Sequence, residues 1–410
     1  MSSFELRQIT PDEWPAFVSR ISDAFGNIPT ADEFTVPPLH ALERCVGAFN
    51  KSGVLIGTGV NHAMQLTLPG GARVPVGGVA GISVSPTHRR QGVMSAVIDW
   101  LIADAMDRGE VASVLTASEG SIYWKRGYGP ATWAMTAEVT AGSSLYPPAS
   151  GGASTSGSLR MINDPTVATA AMADIHERAS CARPGSISRP AHLWREVFQS
   201  YTDDNAHWRL VVHASSDGTD DGYAFYGMVG EWSTHSVSEQ FAVVHELVST
   251  GSVPHRALWE HLLSLDLSKG VKVTRIGLHD PIRLLLDDPR SLRVTGSPDR
   301  LWVRPLDVQR LFSARTLGDA GQVVIQLTGP SDAKGHTRFM LSADGCEPLG
   351  HDRTPDLVMS SAGLGAVSLG GTSAGDLAGV GRIEEMTNGA AATLDALLRT
   401  SPSPMMTTAF

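Results

Sequence analysis

The stretch from Val79 to Leu101 admits very few structures. Val79-Ala80-Gly81-Ile82-Ser83-Val84 has strand propensity, and Pro86 stops it. From Val93 the apolar residues Val93, Val97 and Leu101 recur four apart, which predicts an amphipathic helix over roughly 92–108. Between strand and helix lies the loop Ser85-Pro86-Thr87-His88-Arg89-Arg90-Gln91-Gly92. Amides at a helix N-terminus have no partner inside the helix, and the helix dipole favours negative charge, so such a loop binds phosphate. Gly92 lets a bulky anion approach the backbone, and Arg89 and Arg90 can pair with phosphate oxygens. There is no Gly-Lys-Ser/Thr and no G-x-G-x-x-G, so this pyrophosphate cradle is neither a P-loop nor a dinucleotide fingerprint. Taken alone, the pattern is met equally by a surface loop with two arginines before an ordinary helix.

Downstream residues decide between these readings. Val111-Ala112-Ser113-Val114-Leu115-Thr116 is a second short apolar strand, and a segment ending Gly127-Tyr128-Gly129 follows it. Arg89-Arg90-Gln91-Gly92-Val93-Met94 resembles motif A of the GCN5-related N-acetyltransferases, Arg/Gln-x-x-Gly-x-Gly/Ala, with Met94 where the last small residue is usual. In that family the second strand splays from the first to admit the pantetheine arm of acetyl-coenzyme A. A Gly-Phe/Tyr element then brings an aromatic residue to the thioester, a place that Tyr128 fits. The blocks Ser85–Arg90, Ala117–Gly120, Gly127–Thr132 and Leu301–Asp307 narrow the resemblance to the Enhanced intracellular survival (Eis) acetyltransferases, over essentially all 410 residues.

That resemblance implies an α/β (α+β) chain of two tandem acetyltransferase folds, the second degenerate, followed by a sterol-carrier-protein-like α/β domain. The expected boundaries are 1–140, a flexible connector at 141–158, 159–300, and 301–410. The connector, rich in Gly, Ser and Pro, is too poor in apolar residues to fold by itself. The resemblance also implies acetyl-coenzyme A as cosubstrate, amine acetylation that in several members falls on aminoglycosides, and a homo-hexamer. Tyr128 is the expected acid, and the free carboxylate of the last residue, here Phe410, the expected base. Expected cofactor contacts are Ile82, Ser83 and Val84, whose N–H groups can meet the thioester oxygen, then Arg89, Arg90, Gln91, Gly92, Val93, Met94 and Ser95, with Ser118 and Glu119. A chain-terminal carboxyl near pKa 3.5 is a poor base unless burial raises it. The tail Ser401-Pro402-Ser403-Pro404-Met405-Met406-Thr407-Thr408-Ala409-Phe410 suits burial, being stiffened by prolines and apolar at its end.

Composition narrows the partners. A net charge of −10 argues against nucleic acid and anionic lipid and favours a small cationic amine, for which Asp23, Asp32 and Glu33 are the expected acidic contacts. Cys45, Cys181 and Cys346 lie far apart, so neither a disulfide framework nor a metal site is expected. No apolar run of about 18 residues and no basic-then-apolar leader is present, which reads as a cytoplasmic protein without a membrane span. Release from the cell, linked with the family, would need a route not visible in the sequence. Two further readings stay open, a protein-lysine acetyltransferase and a scaffold that senses coenzyme A or lipid without turnover.

The middle segment repeats the plan of the first: strand 242–249, helix 254–267, strand 272–277. Val248-Ser249-Thr250-Gly251-Ser252-Val253-Pro254-His255-Arg256 stands where the first copy has its cradle, without the paired arginines. In the last segment a helix is expected over 307–317, strands at 321–328, 336–343 and 366–369, and helices at 373–380 and 393–398. Gly371-Thr372-Ser373-Ala374-Gly375 matches a hydrolase nucleophile elbow, but no histidine follows Ser373, so the order Ser…acid…His cannot be built. His245-Glu246 fails as a zinc motif because position 249 is serine.

Overall fold

Strands and amphipathic helices sort into three sheets in the computed structural model, which describes residues 4–26, 42–147, 157–194, 208–329, 335–408 and 410. The first sheet runs in space β1 (Phe4–Gln8), β2 (Cys45–Asn50), β3 (Leu55–Thr67), β4 (Arg73–Val84), β5 (Ala112–Leu115), β14 (Trp302–Pro305), β6 (Gly129–Pro130). The second runs β13 (Leu292–Gly296), β7 (Ala134–Thr140), β12 (Gly270–Gly277), β11 (Phe241–Ser249), β10 (Asp220–Val229), β9 (Trp208–Ala214), β8 (Ser158–Ile162). The third runs β17 (Gly345–Pro348), β16 (Arg338–Ser342), β15 (Gln322–Thr328), β18 (Leu357–Ser360), β19 (Ile383–Glu385). The helices are α1 (Trp14–Phe25), α2 (Val93–Asp107), α3 (Gly120–Trp124), α4 (Pro165–Ala182), α5 (Ser252–Leu263), α6 (Ile282–Leu285), α7 (Val308–Ser313), α8 (Ser361–Val367), α9 (Ala374–Gly379) and α10 (Ala390–Leu398).

The first two units exchange strands. β7 leaves the first unit and pairs with β12 and β13, while β14 returns from the second and lies between β5 and β6. Boundaries after residues 140 and 300 therefore cut through this exchange, since 134–140 belongs by hydrogen bonding to the second sheet and 302–305 to the first. Alternating apolar residues mark a strand but do not name its partner. Of the expected connector, residues 148–156 lie outside the described residues.

Helix α2 buries Val93, Val97, Ile98, Leu101, Ile102 and Ala105 against the first sheet. It sits close because β3 offers glycines there: a Cβ on Gly57 or Gly59 would stand 2.7 Å from Val93 or 2.6 Å from Val97. The other face of the sheet carries Met64, Val76, Val114 and Val303, in one core with Phe312, Ile325, Phe339 and Leu394 of the third unit. The sterol-carrier-like unit thus covers the sheet face opposite α2.

Residues 366–369, expected as a strand, instead end α8 and its cap. The apolar run is short enough to fit either structure, and Ser360 settles it by capping the helix, accepting from Gly363 N at 3.2 Å. Ser373 likewise caps α9 and donates to Asp395 at 2.7 Å, so the elbow-like motif is a helix start. Arg315, 5% exposed, reaches the C-terminal carbonyls Ser368 O and Leu398 O of α8 and α10, where helix dipoles favour a cation. Among the described residues, no helix is long and apolar enough to cross a membrane.

Candidate active site

Strands β4 and β5 are parallel for three pairs, Val76–Ala112, Gly77–Ser113 and Gly78–Val114. Beyond Gly78 they part. The cause lies on the other side of β4, where its register with β3 slips between Thr58 and Val60 and Gly81 turns to φ +59°. A bulge bends its strand and adds twist. Thr58 holds it, with its Oγ1 donating to Gly81 O at 2.7 Å and lying 2.7 Å from Ser83 Oγ. Ile82, Ser83 and Val84 thus form the free arm of a V whose vertex is the Gly78–Val114 pair.

At the end of that arm the basic loop lies on the surface, with Arg89, Arg90, Gln91 and Gly92 exposed. Arg90 adopts φ +60° and Gly92 φ +84°, so left-handed residues flank Gln91. Backbone of this kind turns successive N–H groups toward one concave side, a shape that receives anions. Among the described residues, no side chain caps the first turn of α2, so its amides at Val93, Met94 and Ser95 remain available for the same purpose. A Cβ on Gly92 would meet nothing within 4 Å, so glycine is needed there for its backbone angle. Met94 packs against the core under α2 and leaves the loop geometry undisturbed. The residues fit the pyrophosphate of acetyl-coenzyme A.

Tyr128 is fully buried, with its hydroxyl 2.7 Å from Ser113 Oγ and its ring edge-on to Tyr123 at 6.1 Å. Burial pushes its hydroxyl up to about 12, against the lowering influence of Ser113 and of Arg304. Ser113 stands one pair inside the vertex, on the α2 face, so the phenol lies at the closed end of the V. Nothing in the sequence singled out Ser113, because a serine within an apolar strand carries no motif.

Phe410 reaches the same vertex from the opposite face. Thr116 Oγ1 donates to its main-chain oxygen at 2.9 Å, and a Cβ on Gly78 would stand 3.2 Å from its ring. The tail leading there buries Pro404, Met406 and Thr408. Ser118 and Glu119 follow β5 on the surface, where Glu119 precedes α3. Asp23 is 67% exposed and bonded to Arg20 at 3.1 Å, two residues from Ile21, which touches the Gly81 bulge. Asp32 and Glu33 lie outside the described residues.

The second unit repeats this topology without its chemistry. β11 and β12 are parallel over Ala242–Val271 to Val244–Val273, and α5 follows β11. Only Thr250 and Gly251 separate Ser249 from α5, however, and Gly251 is extended at φ −169°.

A splayed parallel pair, an anion cradle on the following helix and a duplicated copy define a tandem GCN5-related acetyltransferase with a third, sterol-carrier-like unit. The comparisons agree. Models of the acetyltransferase (GNAT) domain match residues 5–131 and 185–305, and a sterol carrier protein domain matches 308–407. An uncharacterized N-acetyltransferase of Streptomyces griseus is 33% identical over 98% of both chains. The N-acetyltransferase Eis of Mycobacterium tuberculosis is 30% identical over 91% of both. The crystal structure of Eis1 from Mycobacterium abscessus superposes with a TM-score of 0.87 at 32% identity, covering 99% of this chain and 100% of that one. The chain belongs to the Eis family of N-acetyltransferases.

Proposed function

We propose that this N-acetyltransferase moves the acetyl group of acetyl-coenzyme A directly onto an amine of a small polycationic substrate, with aminoglycosides the leading class. The observation that carries the reading is the seating of Phe410 beside Thr116 at the vertex of the split strands. Bound at the cradle, acetyl-coenzyme A supplies an acyl thioester, a reactive carbonyl with a thiolate as leaving group. Arg89, Arg90 and the first-turn amides of α2 hold its pyrophosphate. Main-chain N–H groups of Ile82–Val84 receive the carbonyl oxygen as negative charge gathers on it.

The Phe410 carboxylate takes a proton from the substrate ammonium, which frees the nitrogen lone pair. That nitrogen bonds to the carbonyl carbon, the C–S bond breaks with its electron pair going to sulfur, and the second proton shed by the nitrogen passes to the thiolate, giving the amide and the free thiol. Tyr128 donates a hydrogen bond to the departing sulfur. The net charge of −10 favours cationic amines, and Asp23, with Asp32 and Glu33, is the proposed acidic contact. A homo-hexamer accompanies this reading by likeness to the family.

The test follows acetyl-coenzyme A consumption against a panel of aminoglycosides and lysine-bearing peptides. Turnover on several aminoglycosides supports the reading. Turnover confined to peptides makes the protein a lysine acetyltransferase, and binding without turnover on any amine makes it a sensor.

A further inference from the structure

The tail that carries Phe410 is held by the second unit, the copy without a cradle. Helix α4 of that unit buries His176 to 1% exposure. Its Nε2 lies 3.0 Å from Thr407 Oγ1 and 3.2 Å from Thr408 Oγ1, and its Nδ1 lies 3.3 Å from Ser180 Oγ. Thr408 spends its hydroxyl proton on Ile187 O at 2.9 Å. Toward His176 Thr408 can therefore only accept, so the ring carries its hydrogen on Nε2, facing both threonine hydroxyls, and Nδ1 accepts from Ser180 Oγ.

The segment around 184–189 forms the other side of the grip. Met405 N donates to Pro184 O at 2.8 Å, Ser186 Oγ to Met405 O at 3.3 Å, and Arg189 Nη2 to Thr407 O at 3.4 Å. Arg189 is fixed in turn by the buried carboxylate of Glu246 at 2.7 Å and lies over the Trp194 ring at 4.1 Å. Tyr223 donates to the same carboxylate at 2.7 Å. The segment is also stitched to the first sheet, through Gly185 N to Thr67 O at 2.8 Å and Thr67 N to Ser186 O at 2.9 Å. The tail also presses on Gly185, where a Cβ would stand 3.1 Å from Met405 N. Tail, segment and β3 therefore form one continuous layer that ends at Thr116.

We propose that His176 is a positioning residue that clamps Thr407 and Thr408, and that holding this tail is the work of the second acetyltransferase-like unit. The inference rests on the reading of Phe410 as the base. A base on a chain end must be prevented from fraying, which gives a domain without a cradle a task. The grip is neutral: burial, with Arg189 nearby, brings His176 down to about 3.

Two readouts separate the clamp from the base. Removal of Phe410 by carboxypeptidase A reports how often the tail opens, and steady-state kinetics report what the tail does. In the full-length protein, His176→Ala, and separately Thr407→Val with Thr408→Val, should speed Phe410 removal by about tenfold or more. kcat should fall only by the docked fraction lost, while KM for acetyl-coenzyme A stays put, because the cradle is untouched. His176→Gln, whose carboxamide NH2 reaches the place of Nε2, should restore most of both. Protein fully trimmed of Phe410 should lose turnover, so trimmed protein with unchanged kcat overturns the base, while faster trimming of the variants still upholds the clamp. Unchanged protection in the threonine variant overturns the clamp, whatever the kinetics.

Discussion

Replacing Tyr128 by phenylalanine gives two effects that the structure allows to be separated. The hydroxyl is buried against Ser113 at 2.7 Å, so its loss leaves Ser113 Oγ without that partner. An unpaired buried hydroxyl costs about 1–3 kcal/mol, which sets the expected fall in stability. Activity should fall further than this accounts for. With the phenol at about 12, full proton transfer to a thiolate of ordinary pKa, about 8.5, is uphill by about 5 kcal/mol. In the proposed mechanism Tyr128 therefore contributes a hydrogen bond to developing charge rather than a proton, and deleting one such donor should cost about 100- to 1000-fold in kcat. Ser113→Ala breaks the same buried bond but keeps the phenol, so it should match Tyr128→Phe in stability while losing less than about tenfold in kcat. Thermal denaturation and initial rates of acetyl transfer on the two single variants and the double variant complete the cycle. If both single variants lost equal activity, or Tyr128→Phe kept its rate, the phenol would be a packing group. The pH dependence has a definite sign. A folded-state value raised from 10 to about 12 gives stability that is complete below pH 10 and lost as pH rises from there to about 12.

Arg89→Ala with Arg90→Ala should raise KM for acetyl-coenzyme A by about tenfold or more with little change in kcat, read from initial rates at saturating amine. Extending the chain by a few residues beyond Phe410 should abolish turnover while acetyl-coenzyme A binding, measured by calorimetry, survives. Full activity in a C-terminally tagged protein would remove Phe410 from the reaction. His176 is brought down to about 3 by burial and by Arg189, so its contribution is complete above its unfolded value near 6.5 and is lost as pH falls from there toward 3. His176→Gln should flatten that part of the melting-temperature profile. Arg315→Met leaves the Ser368 and Leu398 carbonyls without their buried donor and should destabilise the fold by about 2–5 kcal/mol, seen in denaturant titration.

The parts that local pattern specifies were legible in the sequence, and the parts made by pairing across long separations were not. Helix α2 runs Val93–Asp107 where four-residue spacing placed it, and β5 and β11 lie within a residue or two of their apolar runs. The cradle was visible because glycine and paired arginines before a helix constrain chemistry and backbone together. The exchange of β7 and β14 was hidden, since Trp302–Pro305 reads as a short strand without revealing that β5 and β6 are its neighbours. Ser113 and Thr116 acquire meaning only from Tyr128 and Phe410, and the latter lies 294 residues away. The misread α8 shows the same limit. Its identity comes from the Ser360 cap and from glycines that meet the neighbouring backbone, for a Cβ on Gly365 would stand 2.0 Å from Val303 O.

Opposed faces of one short strand explain why all three units are needed. Along β5, Ser113 and Leu115 point toward α2, whereas Ala112 and Val114 point into the core shared with the third unit. Tyr128 comes to Ser113 from the first side and Phe410 to Thr116 from the second, at positions about 10 Å apart along a strand rising about 3.3 Å per residue. A single acetyltransferase unit can supply the cradle, the split and the phenol from its own chain. It has no element covering the far face at the vertex. In this chain the third unit's core buries Met406 there, and the second unit bonds Thr407 and Thr408. In the proposed mechanism a free carboxylate delivered by Phe410 avoids placing an ionised side chain on a strand that is buried on both faces, where an unpaired charge would be costly. That proposal makes the reaction depend on tail docking, so variants that loosen the tail should lose kcat before they lose affinity for acetyl-coenzyme A.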